Sequence, residues 1–86
     1  MSILVSQRHA ETRHRINKAL RDMAEVMNVT ILTQNTAEVT LWYITGLEDG
    51  TEHTFSLFRT GELFEVIRTP DGKTWCGPTT VEALVK

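Results

Sequence analysis

This chain lacks most of the features that announce an activity. Of its 86 residues only one is cysteine, Cys76. No intramolecular disulfide is possible, which fits a reducing compartment. No glycine-rich phosphate loop, HExxH helix or nucleophile elbow occurs, so the short motifs that mark nucleotide binding, zinc proteolysis and serine hydrolysis are missing. No stretch approaches the ~18 consecutive apolar residues of a membrane-crossing helix. The opening Met1-Ser2-Ile3-Leu4-Val5-Ser6 is too short for a signal-peptide apolar region and has no basic lead, so the expectation is a cytoplasmic protein with no membrane partner. There is no excess of one charge either. The formal net charge is −2, which gives no general attraction to nucleic acid. Repeats, low-complexity segments and linker-like stretches are also absent, so the expectation is one α+β domain over residues 1–86.

What is present is an ordinary globular composition, 41% hydrophobic and 23% charged, with its charges polarised. Residues 1–27 hold Arg8, Arg13, Arg15, Lys18 and Arg21 against three acids, while the remainder holds eight acids against four bases. The first segment reads as an amphipathic helix from an N-cap at Ser6 to about Met27, with Asn28 taking the left-handed position that ends it. Ile16, Leu20, Met23 and Met27, with Ala24 alongside, form the apolar stripe. The outward side pairs Glu11/Arg15, Lys18/Asp22 and Arg21/Glu25 at i,i+4. Met1 to Val5 is read as either an edge strand or a frayed lead.

From Ala37 to Cys76 the pattern is a meander of antiparallel strands, preceded by a strand at Val29–Thr33 and a turn at Gln34-Asn35-Thr36. If Asp49-Gly50 and Thr60-Gly61 each close a two-residue hairpin, Ile44 faces Phe55, Trp42 faces Leu57, Leu57 faces Phe64 and Phe55 faces Val66. Cross-strand partners share a face, so both turns agree on one apolar face of Trp42, Ile44, Phe55, Leu57, Phe64 and Val66. The opposite, mixed face then carries Val39, Leu41, Tyr43, Phe58, Leu63 and Ile67 among Thr45, Thr54, Ser56 and Glu65.

Pro70-Asp71-Gly72 admits two readings, a type I turn followed by a bulged glycine or a two-residue Asp71-Gly72 turn. One residue of slip moves Trp75 and Cys76 between faces. Proline at the second position favours the bulged turn and sets Trp75 beside Ile67 on the mixed face. Thr79 and Glu82 then form a capping box for a short last helix with Val81, Leu84 and Val85 on its apolar side. The expected fold is an N-terminal amphipathic helix packed on a four- or five-stranded antiparallel meander, closed by that short helix.

Catalytic and metal sites find little support. His9 and His14 are five apart, about 140° around a helix, and cannot share an ion as i,i+4 histidines can. His53 is expected at a polar strand end opposite Arg68, and a lone cysteine such as Cys76 is more often a buried hydrophobe than a nucleophile. No catalytic residue, metal or cofactor is therefore expected. The element order resembles that of the double-stranded-RNA-binding domain, with Arg8, Arg13, Arg15, Lys18 and Arg21 on the first helix. That resemblance implies a basic cluster at the start of the last helix, where this chain has Gly77-Pro78-Thr79-Thr80-Val81. Nucleic-acid binding by the basic helix, with Tyr43 and Phe58 as stacking platforms, is the alternative reading.

The preferred expectation is a non-enzymatic protein-binding module: a small inhibitor, adaptor or accessory protein of the kind phages and mobile elements carry, or a homodimer. Its contact residues are Leu41, Tyr43, Phe58, Leu63, Ile67 and Trp75 on the mixed face, rimmed by Glu38, Glu48, Asp49, Glu52, Glu62, Glu65 and Asp71. The last helix is the element able to cover part of that face from within.

Overall fold

A computed structural model describes residues 3–84 of the chain, with side chains from His9 to Leu84. Helix α1 spans Ile3–Met27, followed by strands β1 (Thr30–Asn35), β2 (Val39–Thr45), β3 (Glu52–Phe58), β4 (Leu63–Arg68) and β5 (Thr74–Pro78), then helix α2 (Val81–Leu84). The strands form one sheet in the order β1-β2-β3-β4-β5, each antiparallel to its neighbours. This is the α+β arrangement that the patterning implies.

Helix α1 starts before Ser6, so Ile3–Val5 form its first turn, neither an edge strand nor a frayed lead, and Ser6 lies inside the helix. Met1 lies outside the described residues. Asn28 ends the helix at φ 55°, the left-handed position that asparagine tolerates well. At 1.5 Å per residue, 25 residues extend about 37 Å, against roughly 23 Å for the longest strands of seven residues. The helix therefore overhangs the sheet, and Met27 is 51% exposed although it lies in register with the apolar stripe. None of the expected i,i+4 ion pairs closes. The ion pairs among the described residues are His53–Glu65 at 3.0 Å and Lys73–Asp71 at 3.8 Å. On an open helix face, hydration competes successfully with such pairs.

The core lies between α1 and the sheet: Ile16, Leu20, Trp42, Ile44, Phe55, Leu57 and Leu63 are buried, with Met23, Ile31, Leu47, Val81 and Leu84 packed against them. Trp42 is completely buried and donates its indole N–H to Asn17 Oδ1 at 2.7 Å. Thr40, also fully buried, is satisfied by donating to Asn35 Oδ1 at 2.6 Å. His9 extends the helix stripe two turns before Ile16 and is only 8% exposed, a burial that hydropathy alone does not flag.

The turns correct two expectations. Between β2 and β3 the connection is six residues, 46–51, with a turn closed by Gly50 N–H on the Leu47 carbonyl at 3.0 Å. Leu47 tucks onto the core, and Asp49 accepts from the Thr51 N–H at 2.9 Å. Trp42 therefore faces Phe55 and Ile44 faces His53. This shift of two residues leaves every side chain on its expected face.

At the next turn the slip is one residue and does not. Arg59-Thr60-Gly61 is a three-residue loop in which Gly61, at φ 98°, bonds back to Phe58 and Phe58 pairs with Glu62. Leu57 then faces Leu63, not Phe64, and all of β4 turns over. Trp42 and Phe64 lie on opposite faces, so the single apolar face expected to include Phe64 and Val66 is overturned. Leu63 and Ile67 look toward α1 instead. The third turn follows the bulged reading, with Gly72 at φ 88° bonding to Thr69 and Ile67 opposite Trp75.

Further corrections are local. Strand β1 runs on through Gln34 and Asn35, and Ala37-Glu38 make the turn, held by Thr36 and Val39. Thr80 caps α2 through its Oγ1, while Thr79 extends the β4 ladder to the Leu63 carbonyl. Val85 lies outside the described residues.

Two tests follow from this packing. Asn17→Ala leaves the buried indole N–H without its acceptor, and should lower stability by about 1–3 kcal/mol, read as a reduced urea midpoint; an unchanged midpoint would contradict the assignment. Burial, reinforced by the Arg59 and Arg13 charges, holds His9 below the ordinary histidine value, and its Nε2 has no hydrogen-bond partner among the described residues. Below about pH 6.5 the unfolded chain therefore takes up a proton that the folded chain refuses. Stability should be full above that pH and fall as pH drops through this window, and His9→Phe should flatten the fall; an equal slope in the variant would show that other groups govern it.

Candidate protein-binding face

Cross-strand register sorts the sheet into two faces. Toward α1 run the rows Ile31-Ile44-His53-Ile67-Trp75, Thr33-Trp42-Phe55-Glu65-Gly77 and Asn35-Thr40-Leu57-Leu63. Away from α1 run Leu32-Tyr43-Thr54-Val66-Cys76 and Gln34-Leu41-Ser56-Phe64-Pro78, bordered by the pair Val39-Phe58 at one end. Glu52, Arg68 and Thr74 border the other end.

Neither helix covers the second face. Helix α2 packs on α1, and its Val81 and Leu84 join the core cluster, so the cover that the last helix was expected to supply goes to the other side of the sheet. A solvated sheet face normally alternates toward polar residues. Here Leu32 remains 62% and Phe58 38% exposed, with Val39, Leu41, Tyr43, Phe64 and Val66 half-buried around them. The charged side chains in the paired rows of this face are Glu52 and Arg68, directly opposite each other at its margin. On the central strand the small residues Thr54 and Ser56 pair with Tyr43 and Leu41 on one side and with Val66 and Phe64 on the other. Phe58 and Phe64 meet edge to face, with ring centroids 5.8 Å apart, a geometry favoured for aromatic pairs. Beside them opens a recess of about 530 Å³, lined by Ala37, Glu38, Arg59 and Glu62. Arg59 braces it by donating from Nε to the Ala37 carbonyl at 2.9 Å.

Of the residues expected on this surface, Leu41, Tyr43 and Phe58 lie there together. Leu63 does not: it is a core residue, 5% exposed. Ile67 and Trp75 pair with each other as the bulged turn requires, yet on the α1 side. Trp75 is 53% exposed, with its ring against Gly77, where an added Cβ would come within 3.0 Å. Phe64, Val66 and Cys76 take the vacated positions. The signal for them was the glycine third in Arg59-Thr60-Gly61, the same spacing that favours a bulged turn at Pro70-Asp71-Gly72.

The basic residues do not converge on the aromatic ones. Arg8 lies on α1 with its side chain outside the described residues. Arg13 is half-buried toward His9, and Arg15, Lys18 and Arg21 are exposed among Glu11, Asp22 and Glu25. Tyr43 and Phe58 are on the far side of the sheet from all of them. His9 is buried and His14 exposed, and His53 faces Ile67 and bonds Glu65, not Arg68. Among the described residues no group of three or more His, Cys, Asp or Glu side chains could hold a metal ion. No helix among them is long and apolar enough to cross a membrane. Comparison with protein-family models, curated proteins and solved structures gives no match to this chain, so its functional reading rests on its own residues.

Proposed function

We propose that this protein is a non-enzymatic protein-binding module of the cytoplasm, and that it works by burying the open sheet face against another chain, either a second copy of itself or a different protein. The observation that carries the reading is a five-stranded sheet with both helices on one side and Leu41, Tyr43, Phe58, Phe64 and Val66 uncovered on the other. A contiguous apolar and aromatic surface with charge only at its border is the composition of an interface centre. Tyr43 and Phe58 supply rigid side chains of the kind that concentrate binding energy. Glu38 and Glu62, beside the Phe58 end, form part of the rim and favour a partner with basic groups at that border.

Light scattering and affinity capture from source-cell extract, run on the wild type and on Phe58→Asp, test the reading. The wild type should carry a partner, itself or another chain. The variant should bind it at least ~30-fold more weakly, as expected for loss of a residue worth about 2 kcal/mol or more, while keeping the near-ultraviolet signal of buried Trp42. A partner retained equally by both proteins, or a wild type with none, would overturn it.

A further inference from the structure

Strand β1 is an edge of the sheet, with β2 on one side and no neighbour among the described residues on the other. The turn that follows it shows which of its main-chain groups are free. Thr36 N–H donates to the Val39 carbonyl at 2.9 Å, which makes these two a hydrogen-bonded pair in the register that sets Asn35 opposite Thr40. Hydrogen-bonded and open pairs alternate along an antiparallel ladder. Thr30, Leu32 and Gln34 therefore bond to β2, while Ile31, Thr33 and Asn35 aim their N–H and C=O groups off the edge.

This edge carries none of the devices that discourage strand pairing. From Asn28 to Ala37 there is no charged residue and no proline, and the register to β2 runs without a bulge. All of its residues except Ile31 are exposed. Leu32, on the side away from α1, is 62% exposed, the most open large apolar side chain of the sheet. The opposite edge is different. The same alternation, set there by the Thr69 N–H on the Lys73 carbonyl, makes Thr74, Cys76 and Pro78 the outward positions of β5. Pro78 has no N–H to offer, and the charge of Lys73 stands next to the start of the strand.

We propose that β1 pairs antiparallel with β1 of a second copy of this chain, about a twofold axis at Leu32. The segment is complementary to itself. Around that axis Ile31 faces Thr33 of the second copy and Thr33 faces its Ile31, so at both pairs outward donors meet outward acceptors. Leu32 meets its own counterpart at the close spacing of an open pair, about 4.5 Å between Cα atoms, which withdraws both leucines from water. A register centred on Thr33 would instead set Leu32 against Gln34. No like charges are brought together in the paired segment. The axis stands perpendicular to the sheet, so the product is one continuous sheet with five strands from each copy. Both α1 helices lie on one side of it, and both open faces remain uncovered on the other. The pairing thus uses a surface distinct from the face assigned above, and stands independently of it.

Sedimentation velocity from about 10 µM to about 1 mM, the range suited to a small interface, tests the pairing together with amide exchange of the whole chain. The wild type should pass from monomer to dimer. Exchange at the Ile31 and Thr33 amides should slow by about tenfold once the dimer predominates, while the Leu32 amide, already bonded to β2, should not change. Thr33→Pro removes an N–H that points away from β2, a position where a strand accepts proline, and should weaken dimerisation at least ~10-fold while keeping the near-ultraviolet signal of Trp42. Leu32→Lys and Leu32→Glu should each be monomeric alone and pair when mixed, since like charges repel and opposite charges attract across such a pair. Phe58→Asp leaves β1 intact and should dimerise as the wild type does; in that case the face reading is decided by the captured chain alone. A wild type that stays monomeric with fast exchange at Ile31 and Thr33, a dimer kept by Thr33→Pro, a dimer lost in Phe58→Asp, or a charge-swapped mixture no more associated than its parts would overturn the proposal.

Discussion

The indole of Trp42, fully buried and hydrogen-bonded to Asn17, is the contact on which this structure turns. An unpaired N–H at that depth would cost more than the bond itself contributes, so the helix docks in the one rotation and register that brings Asn17 over β2. Once α1 is fixed there, Ile16 and Leu20 close over Phe55 and Leu57, and α2 adds Val81 and Leu84 on the same side. Every covering element is then used on one face.

That one-sidedness has consequences for stability and for function together. A chain of 86 residues has little surface to spare for a second core, and both helices among the described residues are committed to the first. The sheet keeps Leu41, Tyr43, Phe58, Phe64 and Val66 on the side that neither helix covers, which is the area the proposed partner would withdraw from water. On the helix side the 46–51 loop has a comparable role at smaller scale. By taking six residues where two would have joined the strands, it brings Leu47 onto the core and Asp49 beside Thr51.

Much of this was legible in the residues. The stripe Ile16, Leu20, Met23 gave the buried side of α1, Asn28 gave its end, and the meander and the Trp75–Ile67 pairing followed from turn chemistry. What was not legible was the phase of β4. In Leu63-Phe64-Glu65-Val66-Ile67-Arg68 both alternate sets are largely apolar, so hydrophobicity cannot choose between them, and the turn had to decide. Counting Thr60-Gly61 as two residues put Glu65 outside and Phe64 inside. The bulged turn does the reverse, and Glu65 is tolerated at the edge of the core because His53, two strand positions past Phe55, meets it at 3.0 Å. Three of the six surface residues were misplaced by that one slip, while Leu41, Tyr43 and Phe58, set by the β2–β3 pairing, were not.

The most direct check is the side-chain and backbone nuclear Overhauser pattern around β4 in solution. The account predicts cross-strand contacts between Leu57 and Leu63, ring-to-ring contacts between Phe58 and Phe64, and no contact from the Phe64 ring to the methyl groups of Ile16 or Leu20. Contacts joining Phe64 to those helix methyl groups, with Leu57 opposite Phe64, would return β4 to the other phase and contradict the open face described above.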